Sequence, residues 1–136
     1  MFQFKNPRPI PNPLTFETVP KVRIQRMVEK ELKEYNTFLS ELQNKERELF
    51  VHIARLKSEL APIQEKYNML EFLKSIEPTY HLNAYEFSDQ SYESFRSINI
   101  LNDEIDLRQK DINGTQVRIQ MTNEKINLCA RILECL

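Results

Sequence analysis

From Val28 to Leu70 the chain keeps one spacing without a slip. Val28, Leu32, Tyr35, Leu39, Leu42, Glu46 and Leu49 lead into Ile53, Leu56, Leu60, Ile63, Tyr67 and Leu70 by alternating steps of four and three. A helix carrying that repeat returns its apolar side chains every 3.5 residues to one stripe, the pattern of helices that lie alongside one another. A second series answers it, with Ile98, Ile105, Ile112, Ile119, Ile126 and Leu133 each seven apart. The single Gly points the same way. Tight hairpins and phosphate-cradling loops need glycines, and long helices do not.

The pattern predicts an all-α chain, a long antiparallel helical hairpin or coiled coil behind an extended Pro-rich arm. Residues 1–19 form the arm, because Pro7, Pro9, Pro11 and Pro13 fall on every second position and hold the chain extended. Phe2, Phe4 and Phe16 make it a candidate docking peptide as well as a tail. Residues 20–136 form the hairpin. Helix one is expected over about 20–76, with Pro20 in its first turn, a kink at Pro62 and a stop at Pro78. At 1.5 Å per residue it would be about 85 Å long. Residues 77–95 read as an acidic connector, rich in aromatic side chains that include Tyr85 and Phe87. Helix two is expected over about 89–135 and continuous through Gly114, because Ile105, Ile112 and Ile119 keep phase across it. A reversal centred near 83 pairs residues whose numbers sum to about 165, placing Ile98 beside Tyr67 and Ile112 beside Ile53.

Helix two carries another apolar stripe: Ile100, Leu107, Met121 and Leu128, with Gly114 in line and Cys135 at the end. Positions two apart lie about 200° around a helix, so this stripe faces away from the isoleucines. A helix that is apolar on two sides is sandwiched between neighbours. Phe38 and Phe50 on helix one also stand off the seam. All these residues are candidate partner contacts. Thr115, Gln116 and Thr122 between the isoleucines favour a specified partner over promiscuous collapse, hence a hetero-oligomer over a homo-oligomer.

The sequence offers little to chemistry. Its net charge of −1 gives no general attraction to nucleic acid or anionic membrane. Lys and Arg alternate with acids and form no stripe to track phosphates. Neither His52 nor His81 joins Cys129 and Cys135 in a zinc spacing, and P-loop, GxGxxG, GxSxG and HExxH patterns are absent. Asp103, Glu104 and Asp106 read as a solvated helix face. No catalytic residue, metal, cofactor or small-molecule substrate is expected. Two thiols six apart suit a reducing compartment, and no signal peptide or membrane-length apolar run is seen, so the expected location is intracellular, cytoplasmic or nuclear. The hairpin length resembles a prefoldin-type subunit, but the connector lacks the glycine-containing β-forming segment of that family, and nothing is carried over from it.

The reading that follows is a non-enzymatic coiled-coil subunit of a multiprotein assembly, bundling its helices with other coiled-coil proteins as a structural or adaptor component. The alternative is a self-assembling homodimeric rod of a cytoskeletal or filament-associated kind. A chaperone that grips clients between its helices is a third class.

Overall fold

The computed structural model describes residues 20–80 and 84–136, and side chains over 20–79 and 87–136. It contains two α-helices that pack against each other, α1 over Lys21–Tyr80 and α2 over Ala84–Cys135. Among the described residues only Pro20 and Leu136 are not helical. The expected arm over 1–19 lies outside the described residues.

Pro20 stands just before α1 rather than within it. Its carbonyl accepts the first helical bond, from the backbone N–H of Ile24 at 3.2 Å, and also the N–H of Arg23 at 3.1 Å, one of the donors a helix start leaves open. At the other end of the chain the N–H of Leu136 donates to the carbonyl of Leu133 at 3.3 Å and tightens the last turn of α2. α1 runs unbroken through Pro62, and α2 runs unbroken through Gly114, as the phase of the isoleucines requires.

The connector is shorter than the sequence suggests. Pro78 lies inside α1, which continues to Tyr80, and α2 starts at Ala84. Residues 77–80 and 84–95 are therefore helical. A proline forfeits one backbone hydrogen bond to the previous turn. For Pro78 that is the bond its N–H would have made to the Lys74 carbonyl, and α1 continues past the loss. Leu73, Ile76 and Glu77, all half-buried, hold that last stretch of α1 in contact.

The chain divides into two compact units. One is continuous, Gln43–Val117, and the other is split between residues 20–42 and 118–136. In the continuous unit Ile53, Leu56 and Leu70 of α1 are buried with Ile98 and Ile112 of α2. Ile112 has no exposed surface, and burial of that kind stabilises by about 1.5–3 kcal/mol. In the split unit Leu42, Thr122 and Cys129 are buried.

All thirteen seam positions of α1 are buried or half-buried. Between Val28 and Leu70 only His52 and Gln64 join them. On α2 the isoleucine column is inside as expected. Beside it runs a column the sequence reading did not separate out: Ser94, Leu101, Arg108, Thr115, Thr122 and Cys129, every one buried or half-buried. Its threonines are satisfied within their own helix. Thr115 Oγ1 donates to the carbonyl of Asp111 and Thr122 Oγ1 to that of Arg118, both at 2.8 Å. Buried hydroxyls bonded in this way avoid the desolvation penalty of an unmade bond.

The pairing is antiparallel, but its register differs from a sum of 165. Phe95 rather than Ile98 meets Tyr67, with ring centroids 5.9 Å apart. Ser91 meets Glu71, Lys125 reaches over the Tyr35 ring at 5.5 Å, and His52 lies 3.4 Å from Glu104. Each partner on α2 is earlier in the chain than expected, by three residues at Tyr67 and Glu71 and by more where long side chains reach along the axis.

Candidate partner interface

In the continuous unit, Ile100 and Leu107 of α2 are 56% and 54% exposed. Gly114 follows on the same face, and a Cβ built on it would meet nothing within 4 Å. In the split unit, Met121 and Leu128 are 53% and 55% exposed, and Cys135 is half-buried. Residues seven apart on a helix fall within about 20° of one another, so each unit displays its share of the stripe on one side. Large apolar side chains repeated this way are more than the single scattered surface residues that need no explanation.

A charged column borders the stripe four residues on, about 40° around the helix. It holds Glu104 and Asp111 in the continuous unit, and Arg118 and Lys125 in the split unit. Glu104 accepts from His52 Nε2 when that nitrogen carries the proton, and Arg108 Nη1 donates to Asp111 Oδ2 at 3.5 Å, a weak contact. Arg118 takes part in none of the ion pairs among the described residues. The sequence signal for this column is a seven-residue recurrence of charge, easily overlooked beside a stripe of leucines.

The α1 candidates behave differently. Phe38, 44% exposed, belongs to the split unit, and Phe50, 47% exposed, to the continuous one. Twelve residues place them about 120° apart around α1, so they flank the seam on opposite sides and form no common stripe. Phe87 is half-buried in α2. Tyr85 lies in α2, its side chain outside the described ones, and Phe2, Phe4 and Phe16 lie outside the described residues altogether.

One polar cluster was not anticipated. Near the end of α1, Glu71 Oε1 accepts from Ser91 Oγ across the helix pair and from Lys74 Nζ at 3.1 Å. The Ser91 bond first, then that of Lys74, holds the Glu71 carboxyl below its usual range. The cluster lies beside Tyr67 and Phe95 in an open depression of about 500 Å³. Its clue in the sequence is that Ser91 precedes Ile98 by seven and so belongs to the inward column. In the split unit, burial and then the adjacent Glu31 carboxylate push the Tyr35 phenol above its usual value. Asp103 and Asp106 are exposed, as a solvated face would be.

Among the described residues no group of three or more His, Cys, Asp and Glu is arranged to hold a metal ion, and no helix is long and apolar enough to cross a membrane. No family model, curated protein or solved structure matches the chain.

Proposed function

We propose that this chain is a non-enzymatic subunit of a multiprotein assembly inside the cell, a coiled-coil component whose helices bundle with those of other coiled-coil proteins. One observation carries the reading. Both helices spend one stripe on each other and still present Phe38, Phe50, Ile100, Leu107, Met121 and Leu128 to solvent. Apolar surface repeated at helical spacing is what a further helix covers.

The test is the size of the native particle. In a gentle extract the chain should migrate well above its own 16.3 kDa. Leu107→Glu, Phe38→Glu and Phe50→Glu together should release it at that mass with its helical circular dichroism intact, because all three side chains are exposed and the fold does not depend on them. A wild-type chain that already migrates as a 16.3 kDa monomer in extract ends the proposal.

A further inference from the structure

The outer stripe of α2 and the charges beside it have a symmetry of their own. Taken from either end the stripe is two large apolar residues, a glycine, and two large apolar residues: Ile100, Leu107, Gly114, Met121, Leu128. The bordering column runs acid, acid, base, base: Glu104, Asp111, Arg118, Lys125. Both patterns turn about the same point, close to Gly114. A sequence that complements its own reverse has the property an isologous two-fold contact requires, where residue i meets j and j meets i.

We infer that the occupant of this stripe is α2 of a second copy of the chain, lying antiparallel with the two-fold axis near Gly114. Ile100 then meets Leu128 of the second copy, Leu107 meets its Met121, and the two Gly114 residues face each other. The flanking charges fall opposite their complements, Asp111 by Arg118 of the second copy and Glu104 by its Lys125. A parallel pairing would set each charge beside its own kind, which is unfavourable. A foreign partner would need no such internal symmetry. Open space over Gly114 lets the second helix approach closely at the crossing, as small residues do where backbones meet. Helix geometry and the identity of the residues on α2 suffice for this pairing.

The inference rests on the reading that the outer face of α2 docks a helix, and it names that helix. Assembly with other subunits is left to the exposed side chains of α1.

Sedimentation equilibrium of the purified full chain tests it. The wild type should be a reversible dimer. Asp111→Lys alone and Arg118→Glu alone should each weaken it by about tenfold or more, since two like-charge contacts replace two attractive ones. An equimolar mixture of the two variants should restore the dimer as a mixed species, and so should both substitutions in one chain. Gly114→Leu is the second line of attack. Leucine is a better helix former than glycine, so circular dichroism should show no loss of helix while the dimer is lost. A chain that is monomeric throughout, or a dimer equally strong in all these variants, overturns the inference. A purified monomer whose native particle in extract is still large would sink the second copy and leave the proposed function standing. Monomers in both measurements would sink both.

Discussion

The continuous unit and the split unit use the same repeat and fill it differently. Within Gln43–Val117, five large aliphatic residues are buried among those described: Ile53, Leu56, Leu70, Ile98 and Ile112. In the split unit the buried apolar residues among those described are Leu42 and Cys129. Its seam residues Tyr35, Leu39, Ile119 and Ile126 are only half-buried. The spacing of apolar residues therefore decides which way a helix faces, while the size of what fills each position decides how firmly it is held. Regions with few buried apolar contacts open at lower free energy than cores. The helices of the split unit should be the first to loosen.

The contrast can be broken in several places. Ile112→Ala removes a large side chain with no exposed surface and should cost about 2–5 kcal/mol, read as a drop in the thermal midpoint. Leu42→Ala in the split unit should cost less, about 2 kcal/mol, because half-exposed neighbours can relax into the gap. If it costs as much as Ile112→Ala, the units are equally well packed. Hydrogen exchange gives the same comparison without substitution: amides over 43–117 should outlast those of 21–42 and 118–135, and equal protection would dissolve the distinction.

Thr122→Val is a finer probe. The hydroxyl is bonded to its own helix, where the Arg118 carbonyl already serves the backbone, so a methyl in its place should stabilise the split unit by up to about 1 kcal/mol. A large loss would show the hydroxyl to be structural. The smallest effect belongs to the continuous unit. Glu71 has its carboxyl pKa lowered in the fold, so the stability it brings is present above the ordinary carboxylate range and disappears as pH falls through the lowered value. Ser91→Ala should move the Glu71 titration upward by NMR and flatten the acid limb of the stability curve. An unmoved titration would mean that Ser91 does not hold the carboxylate.

Much of this was legible from spacing. The thirteen seam residues of α1 and the isoleucines of α2 are inside because side-chain period and helix period nearly match, and that needs no tertiary information. The outer stripe of α2 is exposed for the same reason. Local rules failed where tertiary contact overrode them. Pro78 reads as a stop and the aromatic residues after it as a loop, yet both helices grow through them. The column of Ser94, Thr115 and Thr122 was hard to see because hydroxyls on a helix look like surface. They are buried on the inward side of α2, and each threonine bonds backwards to its own backbone. Phe38 and Phe50 share a residue type without sharing a face, which only the geometry of α1 reveals.

The distance along the chain between touching residues also sets an order in time. Glu71 and Ser91 are 20 residues apart, whereas Tyr35 and Lys125 are separated by ninety. Bringing the nearer pair together costs less loop-closure entropy, by about 1.3 kcal/mol. The pairing should begin beside the reversal and zip outward, so the last helix turns to find each other are those of the split unit. During synthesis the whole of α1 is made before any of α2, and its thirteen-residue stripe waits uncovered. For a newborn chain of this kind, the first hazard is the interval before its second half exists.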